Sequence, residues 1–95
     1  MGSFNTESFD EFIESLKHAG IDIVNEREVR ERLGEVSRWR EAFNTIARNS
    51  SNRIGIAFKS KDGRINKAEI HRAFMMFQLP AQTEAMFTAN LEASL

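Results

Sequence analysis

The chain has 95 residues, 41% of them hydrophobic, which suits one small domain with a single core. It contains no cysteine, so disulfides, thiolate zinc sites and cysteine nucleophiles are excluded. The net charge is −1 but unevenly distributed: residues 1–35 hold nine acidic and four basic side chains, whereas residues 36–72 hold three acidic and nine basic ones. A basic segment of this kind can attract an acidic partner or nucleic acid.

Residues 1–7 are expected to form a flexible N-terminus. The opening MGSFNT fits the N-myristoylation pattern, with Gly2 as the acceptor and Thr6 as the polar residue. Membrane contact is expected only if Gly2 is acylated, because no polybasic cluster follows to strengthen a single acyl anchor. No apolar run is long enough to cross a bilayer, and we expect an intracellular, cytoplasmic protein.

A single helical domain is predicted over residues 8–92. Ser8 followed by Glu11 has capping-box spacing, in which each side chain satisfies a backbone N–H at the helix start. Asn25 and Glu28 repeat that spacing after the β-branched stretch GIDIV, which favours a short extended connection. Both caps precede apolar residues at helical spacing, namely Phe9, Phe12, Ile13 and Leu16 in the first helix and Val29, Leu33 and Val36 in the second.

Three further helices are predicted. One contains Trp39, and the next starts at a third capping box headed by Asn66. Leu79-Pro80 ends that helix, because the residue before a proline avoids the helical region. A last helix is predicted over residues 81–92. Before Asn66, the stretch RIGIAF is compatible with one strand of a hairpin or with a short, poor helix.

Two stretches that lie 41 residues apart repeat one pattern: VNEREVRERL begins at Val24 and INKAEIHRAF begins at Ile65. The second copy lies within DGRINKAEIHRAF, which resembles the second half of an EF-hand, with Gly63 at the sharp turn. The resemblance implies an all-α fold of four to five short helices, arranged as a helix–loop–helix pair over about residues 8–36 and 54–78. At most a minimal β-bridge is expected, formed by Val24 and Ile65.

The EF-hand-like loop lacks most of the oxygen ligands that calcium needs. Phe58 stands at the first loop position, where the family has an Asp, so only a weak pseudo-loop of Ser60, Asp62 and Glu69 remains. In the earlier copy Lys17 takes the first position, and its positive charge opposes cation binding. We therefore expect no cofactor, calcium included.

The alternative interpretation is a winged-helix domain that binds nucleic acid. RIGIAFKSKDGRI would form a basic β-hairpin wing, with four or more ladder pairs between residues 53 and 66 and a tip at Asp62-Gly63. Glu41 argues against it, because an acidic side chain would lie on the reading helix. The cations assigned to this interface are Arg38, Arg40, Arg53, Lys59, Lys61 and Arg64.

The stretch FMMFQLPAQTEAMF concentrates large apolar residues. Methionine adapts to varied surfaces, so this stretch predicts a groove for another protein, either an amphipathic helix or a second copy of the chain. His18 and His71 have neither nucleophile nor metal spacing, so no enzymatic activity is expected. We therefore hypothesise a regulatory, non-catalytic protein-interaction module that contacts its partner through Met75, Met76, Met86 and Phe87.

Overall fold

The computed structural model describes residues 8–34, 37–48, 58–93 and 95, so the predictions for residues 1–7 and Gly2 lie outside it. Within the described residues the chain is mostly helical, with five helices and one two-stranded sheet, which confirms the predicted helical class. The elements are α1 (Phe9–His18), β1 (Ile21–Ile23), α2 (Glu26–Leu33), α3 (Trp39–Arg48), β2 (Phe58–Ser60), α4 (Lys67–Met76) and α5 (Ala81–Ala93).

At two of the three predicted helix starts the side chain of the capping residue accepts a backbone hydrogen bond. The Ser8 hydroxyl accepts a hydrogen bond from the backbone N–H of Asp10 at 3.1 Å, and the Asn66 side chain accepts one from the N–H of Glu69 at 3.2 Å. Asn25 also precedes a helix, but its side chain makes no cap hydrogen bond. The position of the helix start was therefore predictable at all three sites, whereas the side-chain contact of the cap forms at Ser8 and Asn66 but not at Asn25.

The strand pairing lies elsewhere than predicted. Strand β1 runs antiparallel to β2, whereas Val24 lies in the turn after β1 and Ile65 lies in the loop after β2. The two predicted bridge residues therefore do not pair. Burial explains the register, because the side chains at the two ends of β1 point into the core and Val24 is exposed. The paired residues are Ile21 with Ser60, Asp22 with Lys59, and Ile23 with Phe58.

The strands divide the first four helices into two helix–strand–helix units. The first unit runs from α1 through β1 to α2, close to the predicted repeat of residues 8–36. The second runs from α3 through β2 to α4 and thus begins at Trp39, well before the predicted start near residue 54. The helix that contains Trp39 was predicted, but it was not assigned to the second unit, because nine residues, 49–57, separate α3 from β2 in the sequence.

Aromatic rings join the two units. Phe12 on α1 is fully buried and contacts five other rings, which belong to α1, α3 and the end of α4. The centroid distances lie between 5.1 and 6.4 Å, within the range of favourable aromatic pairs. Helix α5 closes the core by packing against α3 and α4. The rings around Phe12 are those of Phe9, Trp39, Phe43, Phe74 and Phe77.

A cluster of ion pairs fastens α1 to α2. The Arg30 guanidinium lies 2.9 Å from an Asp10 oxygen, 2.8 Å from a Glu14 oxygen and 2.9 Å from a Glu26 oxygen. The hydrogen bond from Arg30 is the main cause that holds the pKa of Glu26 below its ordinary value of 4.5, while partial burial acts in the opposite direction and Lys17 adds to the lowering. The ion pairs therefore favour the charged form of Glu26.

Replacing Phe12 by Ala should lower the free energy of unfolding by about 3–5 kcal/mol, because the substitution leaves a cavity among five rings. Met75→Ala is the control, since this side chain is exposed and its loss should change stability by less than about 0.5 kcal/mol. Urea denaturation followed by circular dichroism measures both. A loss below about 1 kcal/mol for Phe12→Ala would contradict the packing described.

Replacing Glu26 by Gln should cost about 0.5–1 kcal/mol at neutral pH, where the wild-type carboxylate is charged and bound to Arg30. A carboxyl group with a lowered folded-state pKa stabilises the fold above its unfolded pKa, and this contribution is lost as pH falls below 4.5 through the folded value. The difference between wild type and variant should therefore shrink on acidification. Glu31→Gln is the control at neutral pH: it removes an exposed carboxylate that contacts Arg27 and should cost less than about 0.5 kcal/mol.

Candidate functional site

The structure divides the four predicted contact residues into three exposed methionines and one core residue. Met75 is 65% exposed, Met76 48% and Met86 38%, as a contact surface requires. Phe87 is only 3% exposed, and its assignment to the surface was wrong. Its ring packs against Phe58 at 5.0 Å, within the core.

The three methionines do not all border the same groove. Met76 lies on the side of α4 that faces α1. Met75 is the preceding residue of the same helix and therefore projects about 100° away from Met76. Neither Met75 nor Met86 lines the groove to which Met76 belongs. A contact surface shared by all the predicted residues stays a prediction.

The groove that Met76 borders lies between α1 and α4, and we call it the α1–α4 groove. Its volume is about 150 Å³. Lys61 N–H donates to the Gly20 carbonyl at 2.8 Å, and Phe12 contacts Phe77 at 5.4 Å, so α1 and α4 run in opposite directions. The groove is lined by Ser15, His18, Glu69, Arg72, Ala73 and Met76.

The groove has an apolar floor and a polar edge. Ala73 is buried, and its small side chain leaves space that Met76 borders on one side. Glu69 and Arg72 form an ion pair at 3.3 Å along the edge of α4. An apolar side chain of a partner can therefore enter between the helices and meet polar groups at the rim, the usual composition of a protein-interaction site.

Sequence reasoning identified Met76 but missed the α1 side of the groove. Ser15 and His18 are polar residues on either side of Leu16, which belongs to the buried stripe of α1. Their positions at the border of that stripe were the available signal. The identity of the opposite helix was not available, because it depends on how α1 packs against α4.

Two of the cations assigned to nucleic-acid binding have partners within the fold. Arg38 contacts Glu41 at 2.8 Å. Arg40 donates a hydrogen bond to the Phe77 carbonyl at 2.6 Å, and its guanidinium lies 4.9 Å from the centre of the Trp39 ring. Arg40 therefore ties α3 to the end of α4.

Lys59, Lys61 and Arg64, the other described cations of that interface, do not lie on a hairpin wing. They are exposed, and Arg53 lies outside the described residues. Strand β2 pairs with β1, and residues 61–66 contain no strand, so the predicted hairpin is absent from residues 58–66.

The oxygen atoms of the weak pseudo-loop take part in contacts within the chain. The Ser60 hydroxyl donates to the Arg64 carbonyl, and an Asp62 oxygen accepts the Arg64 backbone N–H at 3.1 Å. Glu69 lies on α4 and contacts Arg72. Gly63 has the positive φ of 80° that the predicted sharp turn requires. The loop is therefore closed by its own hydrogen bonds, and residues 8–34, 37–48, 58–93 and 95 contain no cluster of three or more metal-ligating side chains.

Comparison with protein-family models, with curated proteins and with solved structures finds no match to this chain. Among the described helices, none is both long and apolar enough to span a membrane.

Calcium should leave the backbone amide shifts of Gly63 and its neighbours unchanged up to millimolar concentration, because the loop offers only two carboxylates and opens with Phe58. A ¹⁵N-resolved titration of calcium, with magnesium as the control, measures this. Saturable movement of the Gly63 amide at sub-millimolar calcium would contradict the expectation.

Proposed function

We propose that this chain is a non-catalytic protein-interaction module that binds an amphipathic helix of a partner protein in the α1–α4 groove. The observation that carries the proposal is the position of Met76, which is half-exposed beside an apolar floor between two packed helices. Methionine is flexible and polarizable, so it can pack against partner side chains of varied shape. A helix placed along the groove buries one anchor residue between α1 and α4.

The proposed architecture is an EF-hand-like pair that works without calcium. Two helix–strand–helix units joined by a short antiparallel pairing support this relationship. In the second unit the pairing at Phe58 lies seven residues before the expected bridge at Ile65, so the relationship concerns the arrangement of the helices more than the detail of the loop.

A fixed arrangement of helices follows from this architecture. The loop before α4 is closed by the hydrogen bonds of Ser60 and Asp62, and the units are joined by the aromatic core around Phe12. The proposed module therefore has its groove permanently formed, whereas a calcium sensor exposes its groove only when the ion binds. We expect a constitutive interaction that does not depend on calcium.

The nucleic-acid alternative has less support. Arg38 and Arg40 are engaged within the fold, which leaves Lys59, Lys61 and Arg64 among the described cations assigned to it. Strong binding to nucleic acid normally uses more phosphate contacts than three cations provide.

The test is a selection of binding peptides from a random phage-displayed library, followed by calorimetric titration of the selected peptides. Met76→Glu should weaken their binding by about tenfold or more, because the substitution places a charge where an apolar anchor is buried. Met86→Glu is the matched control: the same exchange at an exposed methionine of α5 that does not line the groove should change affinity by less than about twofold. Circular dichroism verifies that both variants fold.

Two outcomes would contradict the proposal. If Met86→Glu weakens binding and Met76→Glu does not, the contact surface lies on α5. If the library yields no peptide that binds the folded wild type, the chain is not a peptide-binding module of this kind.

A further inference from the structure

The described cations of this chain fall into two groups, those with a partner inside the fold and those without one. Most described Lys and Arg side chains contact a carboxylate within the chain, and Arg40 contacts a backbone carbonyl. Among the described side chains, those of three cations within six residues of one another make no such contact: Lys59, Lys61 and Arg64.

Lys61 and Arg64 belong to the loop between β2 and α4, near the end of the α1–α4 groove at which α1 ends and α4 begins, and Lys59 precedes them on β2. Lys61 is held against the end of α1 by the hydrogen bond from its N–H to the Gly20 carbonyl. Arg64 lies three residues before α4, whose first turn contributes Glu69 to the groove. Met76 borders the other part of the groove. It follows Glu69 by seven residues and therefore lies about 10 Å further along α4, at 1.5 Å per residue.

The acidic groups at this end offset only part of the charge of the three cations. Glu69 is paired with Arg72. Asp62 accepts the Arg64 backbone N–H but keeps its negative charge, and Asp22 lies opposite Lys59 in the strand register without an ion pair in the described structure. Three cations and these two carboxylates leave a net charge of +1. The groove therefore has an apolar part at Met76 and an end with an excess of positive charge.

We propose that the partner helix carries acidic residues at the end that lies over Lys61 and Arg64, and an apolar anchor about two turns away that lies beside Met76. This inference rests on the proposed function and names the chemistry of its partner. Opposite charges across the contact steer the partner towards the groove and fix its direction.

An acidic protein segment fits this surface better than nucleic acid does. Single-stranded nucleic acid binds where bases can stack on exposed aromatic rings. The nearest ring, that of Phe58, is only partly exposed and packs against Phe43 at 5.8 Å and Phe87 at 5.0 Å. Lys59 on β2 and Lys61 and Arg64 on the loop that follows match a few carboxylates of a helix end.

The test uses the peptides selected against the wild-type chain and two triple variants with the same change in net charge. One variant replaces Lys59, Lys61 and Arg64 by Gln. The control variant replaces Arg27, Arg32 and Arg38 by Gln, all of which are exposed and lie on α2 or before α3. Calorimetry at low salt and at about 0.5 M salt separates charge effects from packing effects.

We expect the selected peptides to be rich in Asp and Glu at one end. Their affinity should fall by about tenfold in the first variant and by less than about twofold in the control, and the difference should disappear at high salt. Selected peptides without acidic residues, bound equally by both triple variants but lost in Met76→Glu, would overturn this inference while leaving the proposed function in place.

Two further outcomes would also overturn it. If short DNA or RNA oligonucleotides bind the wild type more tightly than any selected peptide, and the first triple variant abolishes that binding, the cations serve nucleic acid. If no peptide binds the wild type, the proposed function fails together with this inference.

Discussion

The contact of the Phe12 ring with five other aromatic rings is the constraint on which the rest of this structure depends. It joins α1 of the first helix–strand–helix unit to α3 and α4 of the second. Because α1 and α4 are fixed on either side of this ring, the space between their outer edges becomes the α1–α4 groove. The groove is thus a direct consequence of core packing and needs no ligand to form.

Charge is organised around this core in two different ways. On α1 and α2 the acidic and basic side chains pair with one another, with Arg30 bound to three carboxylates. On β2 and the loop that follows, Lys59, Lys61 and Arg64 lack such partners among the described residues. The first arrangement stabilises the fold, whereas the second leaves exposed positive charge at the surface.

The helices and their starting points could be predicted from the sequence because they depend on local signals. Ser8, Asn25 and Asn66 each precede a helix, and apolar residues at helical spacing form the buried faces. The burial of Phe87 was also within reach, because it lies four residues from Thr83 and from Leu91, both of which are buried. Its position within a cluster of methionines favoured the wrong interpretation.

The strand pairing and the groove could not be predicted, because both depend on contacts between distant parts of the chain. Strands of three residues contain too few alternating apolar and polar side chains to fix a register. The repeat around Val24 and Ile65 reflected similar helix starts instead of a bridge. Likewise, the sequence placed Met76 on an exposed part of α4 but could not supply the α1 residues that complete the groove.

The most direct test of this account is a nuclear Overhauser measurement on the metal-free protein in the presence of EDTA. The Lys61 N–H to Gly20 hydrogen bond makes those two residues a hydrogen-bonded pair, and the alternation of an antiparallel ladder then brings the α-protons of Ile21 and Ser60 close together. The same alternation brings the α-protons of Ile23 and Phe58 close together. Cross-peaks between these α-protons without added metal are the predicted result. Cross-peaks that appear only after calcium is added, or that join Val24 to Ile65 instead, would contradict an assembly held together by its own packing.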